Sequence, residues 1–237
     1  MDYEFSFKDI DDLEFKLSKS LSDYTFNGVR VPRVTSIISN MIHEDGLMHW
    51  SNNLGFKHQS YKRTIDEACE YGHKTHSGIE KFLKENYISE DAPYFPMSAF
   101  MSWWNTIIEH NTVQILGQET PLVCQYYGGT YDLLISVNGE PWLIDFKTSN
   151  HITYKYFLQL AAYNKVLREM HNINLRGTII LQLSKTKPEY TEYTLDFMIP
   201  HQKEYMDICE RTFMSLLYSY YHIKHLEGEF SHVLVKR

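Results

Sequence analysis

Apolar and polar positions divide the chain into a helical first half and a strand-rich second half. Residues 1–27 alternate charged and aromatic side chains, which predicts a short helix and an edge strand. NGVRVPRVTSIIS (27–39) reads as a turn, a short strand and a helix capped by Thr35 or Ser36. Residues 45–58 and 61–86 carry helical periodicity, and Gly72 interrupts the second, which allows two helices there. Pro93 and Pro96 precede a further helix over 97–111, on which Trp103 and Trp104 sit.

The period then shortens. VQILGQETPLVCQYY, GGTYDLLISV and EPWLIDFKT read as three successive strands. NGE (138–140) turns between the last two, because Asn-Gly reaches positive φ at little cost. Residues 153–172 predict a helix, RGTIILQLS (176–184) a fourth strand, YTEYTLDFM (190–198) a fifth, and 201–225 a final helix. Helices, then a hairpin layer, then strand–helix–strand, predict an α/β or α+β sheet flanked by helices. No linker or internal repeat divides the chain. One domain over 1–237 is expected: a mostly helical part to 111, a sheet core over 112–200 and a C-terminal helix from 201.

Composition adds exclusions. Hydrophobic residues make up 43%, enough for a sizeable core. No apolar run approaches the roughly 18 residues of a transmembrane helix. The acidic start MDYEFSFKDIDDLEF lacks the layout of a secretory signal. Cys69, Cys124 and Cys209 are scattered, fit a reducing cytoplasm and form no CxxC pair. A net charge of −7 argues against coating nucleic acid non-specifically, though not against gripping it in a local groove.

The candidate chemistry lies in LIDFKTS (143–149). Strand alternation puts Leu143, Asp145 and Lys147 on one face and Ile144, Phe146 and Thr148 on the other. An isolated Asp-x-Lys is most simply a salt bridge on a solvated face. Three neighbouring segments change that reading. GGTYD (128–132) opens a strand with two glycines and ends in Asp132. Gln159 and Tyr163 share one face of the next helix. GHKTH (72–76) lies upstream on a helix. Asp132 and Asp145 are not placed symmetrically about NGE, so register alone does not prove contact; it does let both reach the same end of the sheet. Two carboxylates held close repel unless a cation neutralises them, and hard oxygen ligands suit magnesium or manganese. A lysine beside such a metal can hold a phosphate or orient a water, a scheme for phosphodiester hydrolysis.

The ordered set G-x3-H, E, GG-x2-D, IDFKTS and Q-x3-Y, over about residues 72–165, resembles the nuclease core of the PD-(D/E)XK superfamily. It is most similar to the RecB-like exonuclease branch, which includes mitochondrial genome maintenance exonucleases and CRISPR-associated single-strand nucleases. VPRVTSII resembles that branch's N-terminal strand and helix. The resemblance implies a restriction-endonuclease-like core: a mixed central β-sheet flanked by helices, with an N-terminal helical region.

It also implies roles. Asp132 and Asp145 would be acidic metal ligands, His76 an additional ligand, and the Phe146 backbone carbonyl a further one. Lys147 would be the catalytic lysine. Gln159 would join the catalytic set, and Tyr163 would contact nucleic acid. Glu119, in GQETPLV, would stand behind the first ligands or serve a second metal. The cofactor would be Mg2+ or Mn2+. Some members carry a four-cysteine iron–sulfur cluster, which three dispersed cysteines cannot supply, so a cluster-free subgroup is implied. No GxxxxGK[ST] helicase motif occurs.

The expected activity is a metal-dependent DNA exonuclease acting on single strands or free ends, in recombination, repair or replication. Its expected place is the cytoplasm of a prokaryote or phage-infected host, with DNA as partner and no membrane. Three alternatives stand beside it: a structure-specific endonuclease of the same fold; a catalytically silent nucleic-acid-binding module; and a zinc-stabilised helical protein using Cys69, His73 and His76, which share a helix face. Thr148 and Ser149 end the strand or contact a phosphate. One of Trp103 and Trp104 could stack unpaired bases, at about 1–3 kcal/mol per base, unless both are core.

Overall fold

A computed structural model describes residues 24–43, 56 and 60–233 of the chain. The helix expected before residue 24 lies outside these residues, as does the helix expected over 45–58 apart from residue 56. Strands β1 (Thr25–Phe26) and β2 (Val29–Arg30) form a small hairpin that leads into helix α1 (Val34–Met41). Thr35 and Ser36 do not cap α1. They lie inside its first turn, and Arg33 is the capping position without a side-chain bond. Packing decides this: Val34, Ile37 and Ile38 are buried, and Arg33 bridges to Gly128, so the helix starts where the chain meets the sheet.

Helix α2 (Tyr61–Glu85) runs unbroken through Gly72. The Ser60 hydroxyl accepts from Arg63 N at its start, and left-handed Asn86 ends it. A mid-helix glycine costs only about 1 kcal/mol, which tertiary packing outweighs. Helix α3 (Tyr94–His110) begins three residues before the expected 97. Pro96 sits in its first turn, where the missing N–H has no helical partner to lose.

Strands β3 (Val113–Val123), β4 (Gly128–Val137) and β5 (Glu140–Lys147) form an antiparallel meander. Helix α4 (Tyr154–His171) crosses to β6 (Gly177–Leu183), which runs parallel to β5; β7 (Tyr190–Asp196) returns antiparallel, and α5 (Pro200–Val233) closes the chain. The result is an α/β fold with a five-stranded mixed sheet in the order β3-β4-β5-β6-β7, flanked by helices. Neighbouring residues of the central strands point into opposite apolar layers. Leu134, Leu143 and Ile180 pack under α1, α4 and α5. Leu133, Ile144, Phe146 and Leu181 pack under α2 and α3. Both faces are covered, which explains why these strands read as nearly continuous hydrophobic runs.

The β4–β5 turn corrects the expected register. It contains only Asn138 and Gly139, both at positive φ, while Glu140 already pairs with Val137. The hairpin is therefore symmetric. One step beyond the last pair, Leu133 with Ile144, the same register sets Asp132 opposite Asp145. On the other side, the pairs Gln118–Leu133 and Thr120–Tyr131 set Glu119 opposite Asp132. Three acids thus form a row across three adjacent strands.

Of the two readings of the tryptophans, base stacking or core, the structure fits core. Trp103 is 1% exposed and its indole N–H donates to Glu192. Trp104 is half-buried and lies parallel to the Phe100 ring. Both belong to the α2–α3 layer, on the face away from Asp145 and Lys147. Among the described residues, no helix is long and apolar enough to cross a membrane.

Candidate metal centre and lysine site

Helix α2 carries His76 over the end of the sheet, 70 residues upstream of the strand residue it meets. Its Nε2 lies 3.1 Å from the Phe146 carbonyl oxygen. Its Nδ1 lies 3.4 Å from Asp132 Oδ1 and 3.5 Å from Glu119 Oε1. The Phe146 ring meets the imidazole edge-on at 5.9 Å, which fixes its plane. Asp132 links two elements, because its Oδ2 accepts from the backbone N–H of Phe146 at 2.6 Å. Glu119 has φ of +42°, an unusual value for a side-chain-bearing residue. That departure from strand geometry falls at the position whose carboxylate turns onto His76.

One ligand atom from each of His76, Glu119 and Asp132 lies within 4.8 Å of the others, a group that could hold a metal ion. Oxygen donors with one imidazole suit a hard divalent cation. Asp145, expected as a fellow ligand, lies outside this tight group. Its Oδ2 is 2.7 Å from Lys147 Nζ, and its Oδ1 accepts from Gln159 Nε2 at 3.3 Å. The buried Oδ2 is held by its ion pair with the lysine ammonium. Lys147 also lies over the Tyr156 ring at 4.9 Å.

The electrostatics follow from crowding charges in little water. Burial opposes protonation of His76, but the Asp132 and Glu119 carboxylates outweigh it and push the imidazole up to about 10. Burial likewise works against the charge of Asp132, but His76, Lys147 and the Phe146 N–H hold it below its usual value. Asp145 is pushed up to about 6, chiefly by burial, with Asp132 adding to the shift and Lys147 opposing it. Lys147 is raised: burial works against its charge, and Asp145 and Asp132 prevail.

A brace stands behind Asp145. Gln159 Nε2 is 3.2 Å from the Tyr163 hydroxyl, and both side chains are buried. Tyr163 is 4% exposed, so its expected contact with nucleic acid is not available to it; it supports Gln159 instead. A Cβ at Gly129 would fall 2.5 Å from the Tyr163 oxygen, so the strand admits the ring only because residue 129 has no side chain. Thr148 and Ser149 are half-buried beyond Lys147, where Ser149 Oγ accepts from Tyr156 and donates to the His151 carbonyl. Cys69 and His73 are exposed and do not join His76 in any metal-holding group among the described residues, which removes the support for a zinc site there.

Two participants were not singled out from the sequence. Tyr156 lies in the helix expected over 153–172, and its ring carries Lys147. Gln182 pairs with Lys147 in the parallel register and donates to the Ser149 carbonyl at 2.7 Å. Its signal in the sequence is a polar residue inside the otherwise apolar IILQL run.

No family model matches the chain, and no curated protein matches it. Among solved structures it is similar to one described as "Crystal structure of SSO0001", at 16% identity over 87% of this chain and 82% of that one. The TM-score is 0.38, too low to carry an argument about function.

Proposed function

We propose that the chain is a metal-dependent nuclease hydrolysing phosphodiester bonds in DNA, acting as an exonuclease on single strands or strand ends, as its resemblance to RecB-like PD-(D/E)XK enzymes implies. The observation that carries this reading is the acid row of Glu119, Asp132 and Asp145, met by His76 from one side and by half-buried Lys147 from the other. A purely structural ion pair would need one acid for one base. Here three acids crowd one sheet end against one lysine and one histidine.

His76, Glu119, Asp132 and the Phe146 carbonyl would hold Mg2+ or Mn2+, with Asp145 beside them. Such a cation supplies a bound water of lowered pKa and neutralises charge on the phosphate. Lys147 keeps its proton between Asp145 and Asp132, so Nζ can donate to a phosphate oxygen or to a water. Gln159 fixes one oxygen of Asp145 and leaves the other facing Lys147.

The test is digestion of 5′- and 3′-labelled single strands, duplexes and single-stranded circles with magnesium, manganese or chelator. Metal-dependent loss of linear strands with circles left intact is expected. Cut circles would replace the exonuclease with an endonuclease, and no cutting of any substrate in either metal would sink the nuclease reading.

A further inference from the structure

A polar groove of about 260 Å3 opens where β5 ends. Thr148, Ser149 and Asn150 form one wall; Ser184, Lys185 and Thr186, from the turn between β6 and β7, form the other. The floor is fixed. Gln182 donates to the Ser149 carbonyl at 2.7 Å and accepts from the Tyr193 hydroxyl at 3.2 Å, which ties the walls together. Helix α2 steadies the far wall, since Tyr71 donates to the Lys185 carbonyl at 3.4 Å and its ring lies 5.4 Å from the Lys185 ammonium.

The position is informative. The groove begins one residue after Lys147, at the carboxyl ends of the parallel pair β5 and β6. Open α/β sheets place their ligands at such ends. Hydroxyls, an amide and a lysine are donors suited to phosphate and sugar oxygens. Glu189 also lines the groove and repels phosphate there, while a carboxylate can accept from the amino or imino group of a base. The volume lies just below the range of ligand sites, which run from roughly 300 Å3 upward. A volume of that size is on the scale of a single nucleotide.

Resting on the nuclease reading above, we propose that this groove binds the unpaired nucleotide next to the scissile phosphate, through Lys185 and the Thr148, Ser149 and Thr186 hydroxyls, and so selects single-stranded over duplex DNA. The test is fluorescence anisotropy of a labelled oligothymidylate about 12 nucleotides long, the scale of a single-strand site, and of a duplex of equal length. The full chain is used, with calcium replacing magnesium to prevent cleavage. The wild type should bind the single strand about tenfold tighter than the duplex. Lys185→Ala should remove about tenfold of single-strand affinity and reduce the log–log salt slope by about 0.7, the share of one phosphate contact. Lys187→Ala removes the same charge outside the groove lining and should change binding less than about twofold. Equal losses in the two variants, or an equal loss on duplex, would overturn the groove. If the wild type cuts labelled strands in magnesium and Lys185→Ala binds normally, only the groove fails. If the wild type neither binds nor cuts, the nuclease reading fails with it.

Discussion

Arg168 on α4 and Glu210 on α5 meet through two hydrogen bonds of 3.0 and 2.8 Å, with Lys165 and Glu169 alongside. Two bases face two acids there, and both Glu210 oxygens have guanidinium partners. At the sheet end, Lys147 faces Asp145 while Asp132 and Glu119 crowd the same space and favour the protonated form of His76. The first cluster is complete as a helix–helix clamp. The second has more acid than base. Charges that serve only the fold tend to be matched in number and direction, whereas an unmatched buried set needs a further cation.

The sharpest way to break this contrast is to turn one acid of each cluster into its amide. Asp145→Asn should reduce cleavage of a labelled single strand about 100-fold or more, the usual cost of losing a key electrostatic group. Its melting temperature should fall by several degrees, because the Lys147 ammonium loses its 2.7 Å partner and keeps only Asp132 nearby. Cleavage at the wild-type rate would return Asp145 to a structural role.

Gly129→Ala should cost about 1–3 kcal/mol in urea unfolding, because its methyl group meets Tyr163, and should slow cleavage through the displaced Gln159. Full activity with unchanged stability would show that the brace does not position Asp145.

A third measurement sharpens the charge imbalance. Folding raises His76 from 6.5 to about 10, so its contribution to stability is fully present below 6.5 and is lost as pH rises through about 10. With chelator present, thermal stability should fall over that window, and His76→Gln should flatten the slope. Added manganese should also flatten it, since a metal ligand must be a neutral imidazole. An unchanged slope in His76→Gln would mean that another group carries it.

The smallest effect is expected at the matched cluster. Glu210→Gln should cost about 1 kcal/mol or less in unfolding free energy and leave cleavage unchanged. A loss of cleavage comparable with that of Asp145→Asn would erase the distinction between the two clusters.

Much of the strand architecture was legible in the sequence, because alternation is local. In LIDFKTS the side-chain period alone sends Leu143 to one layer and Ile144 and Phe146 to the other, as observed. Helix starts were less legible. Thr35 and Ser36 have capping chemistry, but burial of Val34 moves the start of α1 past them. On the tryptophan helix the sequence left base stacking and core packing open, and the fold decides: neighbours on a helix face different ways, yet α3 packs apolar residues widely enough to take both rings inward.

By itself, then, the sequence determined which residues share a strand face, that Asn-Gly turns the hairpin, and that an acid and a lysine stand together on β5. Those properties depend only on backbone period and φ preference. Tertiary structure decided what meets them. One residue fewer in the turn than NGE suggests makes the hairpin symmetric and brings Asp132 opposite Asp145. The path of α2 across the sheet brings His76 to Asp132 and Glu119 and keeps Cys69 and His73 away. Burial then sets the charge states, because the energy of a charge depends on the water and neighbours it is left with, and only the folded chain supplies those.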